Sequence, residues 1–378
     1  MTNTVTVQPD AEFIHGILAG GGGDLKKCYQ CATCVSVCSL ATADSTFPRK
    51  QVVKAQWGMK AQLIGDPGVW LCHNCGECTT RCPRGARPGD ILAAVRSQVI
   101  QAVAFPRFMG RLSARPEGLA VLLFGLPILV LALLAIFPLH LATGQPAEFA
   151  DLFPQARLEA LFFTVSGLVL LAFIGGAFRL VRALRASGAN GPILPALPAV
   201  LAEVAAHRRF TSCTTGGIRC WGHLLTLFGF VGLAIVGTVV GVASLLGLMH
   251  TPLALLSPLK LFANLCALTV LLGVLLLLAH RFGDAAVRRA STYFDWLFLL
   301  TLAAVVITGI SSELLRLGQN ATWMYTVYFV HLMLIFALFL YAPYSKFAHF
   351  LYRTIAMAAT WKNAPRFAEA QPGNTSSS

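Results

Sequence analysis

Two runs of cysteines near the N-terminus carry the clearest chemical signal in the chain. Each run has the spacing C-x2-C-x2-C-x3-C, and the second run is followed by Pro83. Three thiolates at this spacing can surround one face of a four-iron cluster, and the pattern is typical of ferredoxins that bind [4Fe–4S] clusters. The eight cysteines are Cys28, Cys31, Cys34, Cys38, Cys72, Cys75, Cys78 and Cys82.

The fourth cysteine of each run is expected to ligate the cluster of the other run, as it does in two-cluster ferredoxins. One predicted cluster is bound by Cys28, Cys31, Cys34 and Cys82, and the other by Cys72, Cys75, Cys78 and Cys38. The main alternative is structural zinc, but zinc sites use paired C-x2-C units and would leave a cysteine of each run unused. Ser39 follows the first run where the second has proline, which changes the turn without removing a ligand.

The composition of the 378-residue chain excludes a single soluble domain. Hydrophobic residues make up 56% of the chain and charged residues 12%, whereas soluble domains carry about 25% charged residues. So much apolar sequence also excludes a disordered protein and predicts a membrane protein with several spans. The formal net charge of +13 fits nucleic acid, an anionic membrane surface or basic cytoplasmic loops, so the positions of the charges must decide.

The apolar sequence is concentrated after Glu117, in stretches of about 20 residues, the length that crosses a ~30 Å hydrocarbon layer. We predict a mainly α-helical protein with three parts. Residues 1–117 form a helical, ferredoxin-like domain with two [4Fe–4S] clusters, residues 118–350 a six-helix transmembrane cytochrome b bundle, and residues 351–378 a partly disordered cytoplasmic tail. The six predicted spans are 118–138, 158–178, 221–248, 258–279, 292–315 and 321–343.

Lys and Arg mark one side of the predicted bundle. The connections after the second and fourth spans and the tail after the sixth are rich in basic residues, whereas the alternate connections hold only Arg157, Lys260 and Arg316. Because cytoplasmic loops are enriched in Lys and Arg, we expect a multi-pass protein of the inner (cytoplasmic) membrane with both termini in the cytoplasm. This topology accounts for most of the positive charge, so no nucleic-acid partner is needed.

Two histidines near the end of the bundle are candidates for haem ligation. His331 and His349 are 18 residues apart, which is five helical turns, so an uninterrupted helix would place both on one face about 27 Å apart. We interpret them as ligands of two stacked haems b. A core histidine and an interfacial histidine would give the same spacing, and Pro343 between them makes the shared facing approximate.

Each haem iron also needs a histidine from another helix. His223, at the start of the third span, is the predicted partner of His349 on the cytoplasmic side. His250, after the same span, is the predicted partner of His331 on the outer side. The competing histidines are His280 on the inner side and His140 on the outer side.

Four further residues of the predicted spans can each be interpreted in two ways. Glu313, near the outer end of the fifth span, is a candidate for quinol proton transfer, because an ionisable group within a membrane is costly unless it is paired or functional. An ion pair with Arg316 is the alternative. Gly222, Gly229 and Gly232 could make room for a porphyrin or could be ordinary small residues at a helix contact.

Together these motifs resemble the membrane subunits of quinone-interacting membrane-bound oxidoreductase (Qmo) complexes, over about residues 24–353. The cysteine runs are similar to those of heterodisulfide reductase C subunits, and the membrane part to heterodisulfide reductase E subunits and nitrate reductase gamma subunits. The resemblance implies the eight cysteines as cluster ligands and His223, His331 and His349 as haem ligands. Gamma subunits have a further histidine at the position of Leu233, so the outer haem and its fourth ligand stay open.

The resemblance implies a redox subunit that relays electrons between menaquinone or ubiquinone and soluble flavin and iron–sulfur subunits of the QmoA and QmoB type. Those subunits serve adenylylsulfate reductase in dissimilatory sulfur metabolism. A component of a membrane-bound heterodisulfide reductase is an alternative, although the sequence has no CCG motif for a disulfide-reducing cluster. A haem-free membrane anchor or transporter that carries a ferredoxin domain is the alternative from another class.

Overall fold

The computed structural model describes residues 8–42, 45–125, 127–129, 148–206 and 217–361. The regular structure within these ranges is helical, apart from one isolated antiparallel bridge between Thr42 and Ser45. The prediction of a mainly α-helical protein is therefore confirmed.

The cysteine-rich region forms a series of short helices followed by one long helix. Their bounds are α1 Ala11–Ala19, a 3-10 turn Leu25–Lys27, α2 Thr33–Ser36, α3 Arg49–Gln56, α4 Lys60–Ile64, α5 Gly68–Leu71, α6 Glu77–Thr80 and α7 Pro88–Val103. α7 is the central element, because α1, α3, α4, α5 and α6 all contact it. It begins with Pro88, whose fixed φ suits a first helical turn.

The apolar region forms longer helices. Their bounds are α8 Arg107–Ser113, α9 Pro116–Ala120 with a π-helical turn Val121–Gly125, α10 Phe149–Leu152, α11 Gln155–Ala186, α12 Ile193–Ala206, α13 Gly217–Leu245, α14 Pro258–Gly283, α15 Ala285–Ala290, α16 Tyr293–Leu317, α17 Ala321–Tyr341, a 3-10 turn Ala342–Tyr344 and α18 Ala348–Ala359. Among the described residues, five segments are long and apolar enough to cross a membrane: α11, α13, α14, α16 and Ala321–Ala359.

These five segments agree with the second to sixth predicted spans. The first predicted span, 118–138, runs beyond the described residues. The bent pair Arg107–Ser113 and Pro116–Leu129 would add a sixth segment if it is counted as one span. Lengths and apolar composition support a membrane protein, while the cytoplasmic placement of the termini stays a prediction.

The described residues divide into two compact units. The first, which we call the cysteine unit, lies within Met1–Arg107, Ile174–Thr215 and Phe347–Ser378, and the second, the bundle unit, lies within Phe108–Phe173 and Gly216–Lys346. The predicted domains were contiguous, with boundaries after 117 and 350. The cysteine unit combines three stretches that are far apart in the chain, and the predicted boundaries stay a prediction.

Two late helices complete the cysteine unit. α12 packs against α18 through side chains that are almost fully buried, among them Val200 and Ala358. The backbone of Gly191, just before α12, donates a hydrogen bond to the carbonyl of Ala359, at 2.7 Å. α18 also contacts α5, the short helix that leads into the second cysteine run. The C-terminal helix is therefore part of the fold around the cysteines.

The helix that carries His331 ends before it reaches His349. α17 ends at Tyr341, the 3-10 turn at Pro343 follows, and α18 begins at Ala348. Proline removes a backbone hydrogen bond and its ring clashes with the preceding turn, so the helix is interrupted there. The possible bend at Pro343 is thus present as a 3-10 turn, and the shared facing of the two histidines stays a prediction.

Trp70 offers a test of the packing of the cysteine unit. Its side chain is fully buried and meets the ring of Tyr352 edge-on, with the ring centroids 5.3 Å apart. Trp70→Ala should leave a cavity that costs about 3–5 kcal/mol and lower the thermal unfolding midpoint in detergent. Trp57→Ala is the matched control, since Trp57 is 58% exposed and surface changes cost within about 0.5 kcal/mol. Equal midpoints for the two variants would contradict the packing described here.

Candidate iron–sulfur and haem sites

The two cysteine runs share one backbone geometry. The third and fifth residues of each run have a positive φ: 62° at Gln30 and 66° at Ala32 in the first, 52° at Asn74 and 91° at Gly76 in the second. Residues other than glycine adopt this conformation at a cost of about 1–2 kcal/mol each. Alternating handedness turns successive N–H groups to one side and forms a concave anion site, which many iron–sulfur centres use. The repeated geometry therefore suits two anionic thiolate clusters.

Backbone N–H groups also point at individual sulfurs. The N–H of Asn74 donates to Sγ of Cys72 at 3.4 Å, and the N–H of Ala86 donates to Sγ of Cys82 at 3.3 Å. One sulfur of each predicted ligand set therefore has a backbone donor of its own.

The first predicted ligand set surrounds a single surface cavity. Its lining includes Cys28, Cys31, Cys34 and Cys82. Three of these belong to the first run and the fourth to the second, so cysteines of both runs line one cavity. Burial, together with the nearby Cys28, raises the pKa of Cys34 to about 11.

In the second predicted set, too, the cysteines raise one another's pKa values. Burial raises the pKa of Cys38 to about 11, and Cys72 and Cys75 add to the rise. Burial likewise raises the pKa of Cys78 to about 12, with repulsion from Cys72, Cys75 and Cys38. Cys38 thus lies near the ligands of the second run.

Buried, crowded thiols ionise only when cations offset their charge, and the donor chemistry here fits a four-iron cluster. A [4Fe–4S] cluster spreads four thiolates over four irons. Each predicted set supplies four cysteines, which is the donor set that such a cluster needs.

Two arginines lie beside the second ligand set. Arg96, on α7, donates to the carbonyl of Val69 at 3.0 and 2.9 Å and to that of Cys72 at 2.9 Å. Arg353, on α18, donates to the carbonyls of Trp70 and Cys72 at 3.0 and 3.3 Å. Two guanidinium groups therefore meet at the carbonyl of one cluster ligand. Sequence reasoning missed this role, because neither arginine belongs to a motif.

Arg353 also fixes the imidazole next to that ligand. Its Nη2 lies 3.0 Å from Nδ1 of His73. A guanidinium only donates hydrogen bonds, so Nδ1 of His73 is the acceptor. Burial lowers the pKa of Arg96, while the neighbouring Cys72 acts in the opposite direction.

His349 lies in the cysteine unit, close to Trp70. Their ring centroids are 6.4 Å apart, with the planes 29° from parallel. Nε1 of Trp70 is buried and has no hydrogen-bond partner among the described residues. A role for His349 as a haem ligand stays a prediction.

His331 lies in the bundle unit, where Thr308 orients it. Nδ1 of His331 is 3.0 Å from Oγ1 of Thr308, and that hydroxyl donates to the carbonyl of Ala304 at 2.6 Å. Because the hydroxyl of Thr308 donates its proton to Ala304, it can only accept from Nδ1–H of His331. Nε2 of His331 then keeps its lone pair. Histidines that bind metals are commonly oriented in this way. The tautomer of His331 therefore fits a haem ligand.

The other predicted haem residues are placed less favourably. His223 lies on α13 with an exposed side chain, and His250 is exposed in the connection after α13. His280 lies on α14, and His140 lies outside the described residues. None of these is shown beside His331 or His349, so the pairing of ligands stays a prediction.

The three glycines of α13 lie at a helix contact. A Cβ at Gly229 would come within 2.7 Å of Val270, and one at Gly232 would clash with Sγ of Cys266. A Cβ at Gly222 would meet Leu277 at 3.0 Å. Small residues here let α13 and α14 approach closely. Of the two readings, the structure supports the helix contact.

Glu313 is held by two cations. Its Oε1 lies 2.9 Å from Arg316 and 3.2 Å from Lys260. The expected ion pair with Arg316 is present, and Lys260 from α14 joins it. A role for Glu313 in quinol proton transfer stays a prediction.

Comparison with known proteins identifies the N-terminal domain. The family described as "4Fe-4S dicluster domain" matches residues 24–86. The C subunit of H(2):CoB-CoM heterodisulfide,ferredoxin reductase from Methanothermobacter thermautotrophicus is 36% identical over 93 residues, which are 25% of this chain and 50% of that protein. A protein from Archaeoglobus profundus that is described as similar to heterodisulfide reductase C subunits is 36% identical over 77 residues, 20% of this chain and 41% of that protein. The chain thus spans about half the length, or less, of these relatives.

One further relative matches both halves of the chain. "Citrate utilization protein B" of Escherichia coli is 27% identical over 365 residues, which cover 88% of this chain and 89% of that protein. No solved structure matches the chain. The predicted similarity to heterodisulfide reductase C subunits is confirmed for the N-terminal domain, which is a 4Fe–4S dicluster domain.

The crossed ligation predicts which cysteines share a cluster. Cys28→Ser and Cys82→Ser should lose the same electron paramagnetic resonance signal, because both ligate the first cluster. Cys75→Ser and Cys38→Ser should lose the other signal. Cys220→Ser is the matched control and should keep both. Loss of the same signal in Cys82→Ser and Cys75→Ser would show that the runs do not cross.

The arginine contact predicts a selective change in potential. A positive charge favours the reduced, more negative cluster, and removing one at roughly 8 Å changes its energy by about 1–2 kcal/mol, or about 40–90 mV for one electron. Arg353→Gln should therefore lower the midpoint potential of the second cluster and leave that of the first unchanged in an EPR redox titration. Arg353→Lys, which keeps the charge, should shift it less. Equal shifts of both clusters would contradict the placement of Arg353.

Proposed function

We propose that this chain is a membrane-bound electron-transfer subunit. It relays electrons between the quinone pool and a soluble flavin and iron–sulfur partner, through two [4Fe–4S] clusters and haem b. The dicluster domain and the five apolar segments support the two halves of this proposal. Menaquinone and ubiquinone are both suitable quinones.

The observation that carries the proposal is the junction at α18. This helix presents His349 to Trp70 and, one turn later, Arg353 to the carbonyl of Cys72. One helix therefore carries the residue proposed to bind haem and also contacts the backbone of a cluster ligand. Such a junction favours a redox relay over an anchor or transporter that merely carries a ferredoxin domain.

The chain's own residues position and insulate the redox groups. The clusters and haem, when bound, supply one-electron chemistry. The buried side chain of Trp70 excludes water between α5 and α18, and Arg96 and Arg353 hold the loop of Cys72 in place. Thr308 keeps Nδ1 of His331 protonated, so that Nε2 is available to a metal.

Two partner systems are candidates. The resemblance to Qmo subunits suggests QmoA- and QmoB-like subunits that serve adenylylsulfate reductase. The match to a citrate utilization protein, which covers 88% of this chain, favours instead a partner that serves citrate use. The heterodisulfide reductase relatives support a third, related partner, but they match only the N-terminal quarter of the chain.

The relay is tested by its cofactor content. Purified protein should contain about eight irons in clusters and about two haems with a b-type band in the reduced-minus-oxidised spectrum. His331→Ala and His349→Ala should each lower the haem content, because each removes an iron ligand. His15→Ala, an exposed histidine on α1, is the control and should keep the spectrum unchanged.

Protein with full iron content and no b-type band would defeat the haem part of the proposal and leave the iron–sulfur part standing. The partner system is then tested with membranes from a strain that lacks this chain. Loss of citrate-dependent quinone reduction supports the citrate candidate, and loss of sulfite- or adenylylsulfate-dependent electron transfer supports the sulfur candidate.

A further inference from the structure

The two cluster sites differ in their exposure. Around the first, Cys31 is exposed, and Tyr29 keeps 67% of its surface exposed at the same cavity. Around the second, Cys72 is buried and its carbonyl is covered by Arg96 and by Arg353. The first site is therefore the more accessible of the two to an external redox protein.

The rim of the exposed site is basic. Arg49 and Arg84 line the cavity itself. The exposed residues Lys27 and Arg81 directly precede the ligands Cys28 and Cys82, and Lys26 is exposed beside Lys27. We call these five basic residues the basic rim. Of its members, Lys27 is paired with an acid, at 2.6 Å from Asp24.

An aromatic contact fixes part of this rim. The guanidinium of Arg84 lies 4.1 Å from the centre of the Tyr29 ring, and its Nη2 donates to the Tyr29 hydroxyl at 2.9 Å. Tyrosine and arginine are among the residues most enriched at the centres of protein interfaces. The pair presents a preordered, partly apolar surface directly beside a cluster ligand.

We propose that the basic rim, together with Tyr29, is the docking surface for the soluble electron-transfer partner, and that this partner presents an acidic face. The proposal rests on the redox relay described above. The partner is a flavin or iron–sulfur protein. In each transfer one electron leaves the reduced first cluster, which is oxidised, and the partner is reduced by one electron.

Charge complementarity sets the expected behaviour. Opposite charges steer association and raise its rate, and salt screens them. An anionic lipid surface would also attract the basic rim, but a lipid headgroup does not exchange electrons with a cluster. An interface with a redox protein explains both the positive charge of the rim and the exposure of Cys31.

Small redox reagents of opposite charge test the rim on the full chain in nanodiscs. The dithionite-reduced protein is mixed with ferricyanide, an anion, or hexaamminecobalt(III), a cation, and cluster oxidation is followed by stopped flow. Arg81→Glu/Arg84→Glu should slow oxidation by ferricyanide about tenfold at low salt and accelerate oxidation by hexaamminecobalt(III). Arg182→Glu/Arg185→Glu, an equal charge change on exposed residues of α11, should change neither rate.

A protein probe extends the test to docking. Electron transfer from the reduced chain to an acidic flavodoxin should fall with rising salt, and Arg81→Glu/Arg84→Glu should abolish that salt dependence. If this variant fails to assemble its clusters, Lys26→Glu/Lys27→Glu decides the question by the same measurements.

Unchanged rates in a variant with intact cluster signals would overturn the proposal. So would a wild-type ferricyanide rate that differs between nanodiscs of zwitterionic and anionic lipid, since the rim would then face the membrane. Absence of cluster signals from the wild-type protein would instead overturn the relay itself, so the two failures are distinguishable.

Discussion

Holding several partly buried thiolates close together is the constraint on which this structure depends. Each thiolate loses hydration and repels its neighbours, as the raised pKa values of Cys34, Cys38 and Cys78 show. The chain responds with left-handed residues that turn N–H groups towards the sulfurs and with short helices that leave little freedom between ligands. α7 holds these short pieces together, because none of them is long enough to be stable alone.

The second ligand set shows how this constraint reaches beyond the cysteine runs. Its backbone is held by Arg96 from the central helix and by Arg353 from the last one. Cationic donors at a carbonyl beside a thiolate ligand offset negative charge where solvent cannot. The first set is open to solvent instead and has basic side chains around it. The negative charge of the thiolates is therefore offset by buried donors at one site and by exposed basic side chains at the other.

Features that depend on local sequence could be predicted, and features that depend on distant contacts could not. The cysteine spacing and the apolar stretches lie within windows of about 20 residues, so they predicted the dicluster domain and five helices correctly. The contacts of Arg353 join residues 281 positions apart, and no local pattern reports them. Pro343 was visible as a possible bend, and a 3-10 turn follows α17 at that position. For the glycines of α13, only the position of α14 could distinguish a helix contact from a porphyrin site.

The place of α18 in the cysteine unit has a consequence for biosynthesis. A ribosome releases Cys72 long before Arg353, and every described helix of the bundle emerges between them. The loop of the second ligand set therefore has its complete set of contacts only after the membrane helices have been translated. Cluster insertion during synthesis would meet an incompletely held site, whereas insertion after release would meet the finished one. The order of the chain thus delays the full set of contacts at Cys72 until the membrane part has been translated.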